Sequence, residues 1–387
     1  METCQKRPLA SPAISRHAAV MKSPLLTPLA ASLPSTVPFT GPEALERQSG
    51  HPFRARLGAN ESLFGPSPRA IKAMQDAAAD AWMYGDPEVH DLRAALAAHH
   101  ATSPENIVVG EGIDALLGYL TRLMIGPGDP VVTSLGAYPT FNFHVAGFGG
   151  TLHRAPYLGD HEDPAALLAL AHQTGARLLY LSNPDNPMGS HHPAATIAAM
   201  IPALPPTTLL VLDEAYIDLA PPGTEPQIDP DTPNVIRLRT FSKAHGLAGL
   251  RVGYAITSGP LAHAFDKFRN HFGVGRIAQA GAIAALQDQD WLAQVRVKTA
   301  IARSRLSQTA LDNGLIPLPS ATNFVTIDCN RDGDHARAVL QALIARDIFV
   351  RMPGVAPLDR CIRVSLGTDR ELDLFAEALP LALASVG

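Results

Sequence analysis

The sequence predicts an α/β protein: a large domain whose mostly parallel sheet is sandwiched by helices, joined to a smaller α+β domain. Three observations predict it. Between Glu105 and Thr257, short runs of leucine and β-branched residues alternate with helical segments, as expected when crossover helices cover both faces of a parallel sheet. Beyond Gly275 the chain turns helix-rich and then ends in short strands. With 387 residues, 46% of them hydrophobic and 17% charged, the chain can fill more than one core.

Taken in order, residues 1–55 read as an irregular arm, because prolines recur at 8, 12, 24, 28, 34, 38, 42 and 52. Met21 is an alternative start. From Pro66 the segment PSPRAIKAMQDAAADAW has helical spacing, breaks at YGDPEVH, and resumes in DLRAALAAHH. ENIVVG is a short apolar strand ending in glycine, IDALLGYLTRLM an amphipathic helix, and DPVVTS another buried strand. ARLLYLSNP, TTLLVLDEAY, PNVIRLRTFS and LRVGYAIT continue the strand series, each closed by turn chemistry. Residues 56–275 are therefore the large domain. Residues 276–387, with a helix-rich stretch to Gly314 and strands in NFVTID, DIFVRM and CIRVSL, form the small one.

Composition excludes several classes of function. A formal charge of -5 and the absence of any Lys/Arg run leave no basic face for nucleic acid. Cys4, Cys329 and Cys361 lie too far apart in sequence for a disulfide framework or a zinc motif, so a reducing cytoplasm is the expected setting and no metal is expected. No apolar run reaches the ~20 residues that span a bilayer, and no secretory signal opens the chain.

Chemistry concentrates in the segment TFSKAHGLAGLRVGY, Thr240 to Tyr254. A lysine amine that condenses with an aldehyde must lose its proton near neutrality, which burial and nearby positive charge bring about. Lys243 has Arg251 eight positions on, and Thr240, Ser242 and Arg251 offer the hydroxyls and guanidinium that suit a phosphate. A phosphorylated aldehyde held by a lysine describes pyridoxal 5'-phosphate.

Four more groups fall at predicted strand ends, where such a sheet gathers ligands. In VVGEGIDALL a strand runs through Gly112 into a helix starting near Ile113 and Asp114, whose free N–H groups suit a phosphate; Asp114 also reads as a plain helix-start charge. In LSNPDNPMGS two prolines stiffen a turn that presents Asn186 to a pyridoxal phenolic oxygen, with the bond before Pro187 a candidate for the cis form. In LLVLDEAYIDL, Asp213 closes a buried strand, where a carboxylate keeps a pyridine nitrogen protonated. Tyr216 reaches the same phenolic oxygen as Asn186, while Asp213 also reads as a cap and Tyr216 as a core ring. In TSLGAYPTF, Tyr138 is either a ring-stacking aromatic or core.

With these motifs in this order, the chain from Leu57 onward resembles the fold-type I pyridoxal-phosphate aminotransferases, specifically their histidinol-phosphate aminotransferase-like branch. The resemblance implies that Lys243 bonds covalently to the cofactor, that Asp213 pairs with its ring nitrogen, that Asn186 and Tyr216 hold its phenolic oxygen, and that Tyr138 stacks on the ring. It assigns the phosphate to Gly112, Ile113, Asp114, Thr240, Ser242 and Arg251. It also implies a homodimer in which Tyr84, in YGDPEVHDLRAAL, reaches the partner's active site, and an N-terminal arm joining the small domain.

On the substrate side, Arg363 in CIRVSLGT resembles the family's carboxylate-binding arginine and Arg351 in FVRMPGV a second one that grips a substrate phosphate. Asn60 and Phe64 belong to the motif LGANESLFGPSP. Phe64 stands where the branch commonly carries a phosphate-binding tyrosine, a loss of ~1.5–3 kcal/mol if a hydroxyl is needed there. Phe64 with Phe272 in NHFGVG therefore predicts a more apolar pocket, suited to an aromatic or other hydrophobic amino acid. The expected reaction is ping-pong transfer of an amino group from an L-amino acid, or a histidinol phosphate-like amine, to a 2-oxo acid. The same frame also serves decarboxylases of the threonine-phosphate type and lyases. A non-catalytic sensor domain of a transcription regulator is a further alternative, although no helix-turn-helix segment accompanies it.

Overall fold

A computed structural model of the chain describes residues 25–35 and 40–387; the remainder of the expected N-terminal arm lies outside the described residues. Residues 25–35 belong to a separate unit ending at Thr36 and hold a single helical turn, Pro28–Ser32, whose start is capped by the Thr27 hydroxyl. In the larger unit the arm continues as a helix, Pro42–Ser49, where the sequence predicts irregular chain. Proline at the first helical position loses no hydrogen bond there, so Pro42 begins this helix instead of breaking it.

The strands are β1 (Ala55–Arg56), β2 (Ile107–Gly110), β3 (Pro130–Ser134), β4 (Thr151–Ala155), β5 (Leu178–Ser182), β6 (Leu209–Asp213), β7 (Val235–Thr240), β8 (Gly253–Thr257), β9 (Ile316–Pro317), β10 (Phe324–Asp328), β11 (Ile348–Phe349) and β12 (Cys361–Ser365). Seven of them form one sheet in the order β2-β8-β7-β6-β5-β3-β4. All neighbours in it are parallel except β8, which runs antiparallel to both β2 and β7.

Alternation along the central strands explains why both faces are covered. Leu178, Tyr180, Leu209 and Val211 enter one apolar cluster with Leu116, Leu120 and Phe141. Leu179, Leu181, Leu210 and Leu212 enter another with Leu167, Ala171 and Ile197. Successive side chains of a strand point to opposite faces, so strands apolar at every position must be sandwiched.

Near the C-terminus, β9, β10 and β12 make a small antiparallel sheet, while β11 pairs in parallel with β1. A single core joins Ala55 and Leu57 to Leu306, Val325, Val350, Val364 and Phe375. The helix Arg276–Gln287 packs instead with Ala70, Leu92 and Val109, so the change from one core to the other runs along the following helix, Gln289–Asp312. The helix-rich stretch is divided at Asp288, whose carboxylate accepts the Trp291 N–H and starts the second helix.

Parallel direction brings Gly110, Ser134, Ser182, Asp213 and Thr240 to one edge of the large sheet, where β8 begins at Gly253. The small sheet adds Arg363 and the bridged Arg351.

Candidate active site

At this edge lies a cavity of about 650 Å³. Its lining includes Asn60, Ile113, Asp114, Tyr138, Asn186, Asp213, Tyr216, Thr240, Ser242, Lys243, Arg251, Arg351 and Arg363, so thirteen of the sixteen side chains singled out from sequence meet around one space. Gly112 lies immediately beside it, at the start of the helix Gly112–Met124. Phe64 and Tyr84 do not line it.

Lys243 sits in the loop after β7, with its Nζ 3.0 Å from the Asn60 carbonyl oxygen and 5.6 Å from the centre of the Tyr216 ring. Burial, then the Arg363 charge, lowers this amine to about 8, since both disfavour a second positive charge in the same enclosure. Asp213, at the end of β6, is buried. Its carboxylate accepts the Tyr180 hydroxyl at 2.7 Å and the Ala215 N–H at 3.0 Å. Burial raises it to about 6.

The next residue, Glu214, meets the same burial differently, by pairing with Arg237 and Arg239 on β7. Asp213 thus remains the carboxylate of this pair that faces the cavity.

Tyr216 receives two amide donors on its hydroxyl oxygen, Asn60 Nδ2 at 3.0 Å and Asn186 Nδ2 at 3.3 Å. Its own proton is thereby left for an acceptor in the cavity, and burial pushes the hydroxyl well above its ordinary value. Asn60 adopts a left-handed backbone, φ 55°, that asparagine tolerates better than most residues, and its carbonyl also accepts Asn323 Nδ2 at 3.0 Å.

The other end of the cavity is shaped for an anion. The helix Gly112–Met124 starts without a side-chain cap, so its first N–H groups are open. Ser242 Oγ lies 2.9 Å from Thr240 Oγ1 and 3.4 Å from Arg251 Nη1. Glycine is required twice. A Cβ on Gly112, which has φ +82°, would stand 2.5 Å from Arg251 Nη2, and one on Gly253 would stand 2.8 Å from the Ile113 nitrogen. The Asp114 carboxylate turns away to His144 Nε2 at 2.8 Å, so only its backbone N–H faces an anion.

Arg363 donates to the Asn186 amide oxygen and to the Gly58 carbonyl. Among the described residues its buried Nε finds no hydrogen-bond partner, which marks a guanidinium built to meet a further acceptor. Arg351, joined to it through the backbone bridge, donates to the Thr40 carbonyl at 2.7 Å. The Asn186 turn contains a cis peptide, at Asn183–Pro184 and not at the expected bond before Pro187.

Two expectations shift. Phe64 packs into the apolar cluster of Leu219, Ala244, Leu292 and Val295, and Phe272 lies half exposed against Tyr84, ring centres 4.9 Å apart. Burial against other apolar side chains holds Phe64 away from the cavity, so neither ring gives this chain's pocket the expected apolar lining. Tyr84 itself is 78% exposed. Sequence reading missed Tyr180 and Asn323; Tyr180 hides in a run of leucines, and Asn323 stands just before the strand Phe324–Asp328 with no motif to mark it.

A lysine lowered to about 8, a buried carboxylate lacking an arginine, a hydroxyl with its proton free and an anion cup at a helix start fit the aldehyde, ring nitrogen, phenolic oxygen and phosphate of pyridoxal phosphate. They define a pyridoxal-phosphate enzyme of the aminotransferase type. The profile of the family described as aminotransferase class I and II matches residues 55–379. A histidinol-phosphate aminotransferase from Moorella thermoacetica is 33% identical over 91% of this chain and 92% of its own. The crystal structure of histidinol-phosphate aminotransferase from Sinorhizobium meliloti in complex with pyridoxal-5'-phosphate is 56% identical, with TM-score 0.92 over 95% of this chain and 100% of that one. Aspartate aminotransferase from Thermus thermophilus with maleate, at 21% identity and TM-score 0.78 over 92% and 99% of the two chains, shares the fold.

The chain belongs to the class I and II aminotransferases. It is a pyridoxal-phosphate-dependent transaminase.

Proposed function

We propose that this transaminase moves the amino group of histidinol phosphate to a 2-oxo acid. The observation that carries the proposal is the pair Arg351 and Arg363, two guanidiniums that line one cavity with an Arg363 Nε still unpartnered. Two such forks suit a doubly charged phosphate on one substrate and a carboxylate on the other. The names of the relatives at 33% and 56% identity support the same donor. The apolar amino acid expected from Phe64 and Phe272 loses its support, because neither ring lines the cavity.

Bound in the cavity, pyridoxal phosphate supplies an aldehyde for the substrate amine and a ring that draws electron density from the substrate Cα. Lys243 would hold the cofactor and, as a free amine beside it, would carry a proton from and to the substrate Cα. Asp213 keeps a proton on the ring nitrogen, Tyr216 and Asn186 hydrogen-bond the phenolic oxygen, and Tyr138 covers the ring. Gly112, Ile113, Asp114, Thr240, Ser242 and Arg251 hold the phosphate. The cofactor domain, expected over 56–275, extends through the helix Arg276–Gln287, which packs on its core, and the smaller domain follows from the helix Gln289–Asp312 onward. Exposure of Tyr84 supports a homodimer in which it enters the partner's site. The free, buried Cys329 and Cys361 support a cytoplasmic setting, and no helix among the described residues is long and apolar enough to cross a membrane.

Steady-state rates with histidinol phosphate, aromatic amino acids, aspartate and threonine phosphate, each with 2-oxoglutarate, test the proposal. Histidinol phosphate is expected to give the highest kcat/KM, with glutamate as product. Preference for an aromatic donor, or release of carbon dioxide, would contradict it.

A further inference from the structure

Beneath the turn that carries Asn186 lie two carboxyl groups without an assigned role. Glu162, just before the helix Pro164–Thr174, is 1% exposed, and Asp185, within the turn, is 2% exposed. Ser182 Oγ lies between them, 2.8 Å from Glu162 Oε1 and 3.3 Å from Asp185 Oδ1. Glu162 also accepts the Ser134 hydroxyl at 2.5 Å and the Ser182 N–H at 3.0 Å, and Asp185 accepts the Tyr157 hydroxyl and the Met188 N–H, both at 3.0 Å.

No lysine or arginine offsets either carboxyl strongly. Two bare carboxylates bridged by one serine hydroxyl in such a place would cost several kcal/mol per ion, and one proton shared by the pair lessens the repulsion and removes half of the buried charge. Burial, followed by the Asp185 charge, raises Glu162 to about 8, and burial also raises Asp185.

We infer that Glu162 and Asp185 hold a single proton between them, and that this pair is the positioning device for the Asn186 amide and, through it, for Arg363. The turn is closed on Asp185 from both sides. Its N–H donates to the Ser190 carbonyl, its carbonyl accepts the Gly189 N–H, and its carboxylate accepts the Met188 N–H. Asn186 is fixed within that closure, so its side chain can span Tyr216 and Arg363. Loss of the proton sets two like charges against each other under the turn and displaces Asn186 from both partners.

The groups facing the pair are the Tyr157 hydroxyl from the segment after β4, Tyr180 and Ser182 from β5, Ser134 from β3, His192 against the Glu162 carbonyl, and the Arg363 charge. None is a cation hydrogen-bonded to either carboxyl. The pair's folded values lie above those of the unfolded chain, so its stabilisation is complete below the ordinary carboxyl range and is lost as pH rises through the raised values. The effect on substrate rests on the reading of Arg363 given above; the shared proton does not.

The test compares the full chain with its cofactor to Glu162→Gln, which keeps a neutral hydrogen-bonding group, and Glu162→Leu, which does not. The wild-type minus Glu162→Gln infrared difference spectrum at neutral pH is expected to show the carbonyl band of a protonated carboxylic acid, bleaching as pH rises. The KM for the amino donor should climb with pH in the wild type and stay flat, within ~3-fold, in Glu162→Gln, with kcat less affected. Glu162→Leu should raise KM at every pH. Absence of the acid band, or identical pH profiles of wild type and Glu162→Gln, would overturn the inference. A band without transamination of any donor would instead count against the reading of Arg363 alone.

Discussion

A lysine becomes a reactive amine through its surroundings, and at Lys243 these are burial and Arg363, which bring it to about 8. Below that value the neutral fraction falls ~tenfold per pH unit, and only the neutral amine can attack an aldehyde. Capture of pyridoxal phosphate by cofactor-free protein should therefore accelerate from pH 6 to about pH 8 and then level, followed by the growth of the bound-cofactor absorbance. A rate that keeps rising toward pH 10 would mean that the amine retains an ordinary lysine value. Asp213 shows the opposite case, a carboxylate raised by burial while its neighbour Glu214 is neutralised by Arg237 and Arg239. Asp213 was legible from sequence as the acid closing a buried strand; what the sequence did not show is that Arg237 and Arg239 on β7 pair with Glu214.

At the scale of elements, the anion cup depends on the close approach of the helix Gly112–Met124 to the start of β8 and to Arg251. Gly112→Ala should cost ~1–3 kcal/mol of strain at a positive φ, and weaken cofactor binding by about 10- to 100-fold where that strain falls on Arg251. Fluorescence titration of cofactor into the variant measures this directly, and an unchanged dissociation constant would contradict the cup as drawn. Apolar runs gave away β5 and β6, since strands covered on both faces need no polar alternation, whereas β7 is buried with Arg237 and Arg239 in it because Glu214 pairs with both. The edge strand β4, TLHRA, is buried only at Ala155 and carries His153 and Arg154, and so lacks that signature. DIFVRM yields only the two-residue β11 because its partner is the equally short β1.

For the whole molecule, motif order and spacing were enough to single out residues that line one cavity, because each motif sits at a strand end and the parallel sheet collects those ends. Substrate-side residues were harder to read. Whether Phe64 faced a cavity or a core depended on the apolar cluster of Leu219, Ala244, Leu292 and Val295, contributed by distant segments. The same holds for Tyr84, whose exposed ring beside Phe272 acquires a role only in a dimer. Sedimentation should report a dimer. Tyr84→Phe should stay dimeric yet bind the cofactor more weakly, by the ~1.5–3 kcal/mol of a hydrogen bond to a charged group. A monomer, or full affinity in Tyr84→Phe, would contradict the shared site.

Everything proposed for the site requires Lys243 to be the residue that joins covalently to pyridoxal phosphate. Borohydride reduction of the cofactor-loaded protein, followed by proteolysis and mass spectrometry, locates that bond. The expected result is a phosphopyridoxyl group on the peptide containing Lys243, absent from Lys243→Ala together with transaminase activity. A stoichiometric adduct on another lysine, or turnover retained in Lys243→Ala, would contradict it.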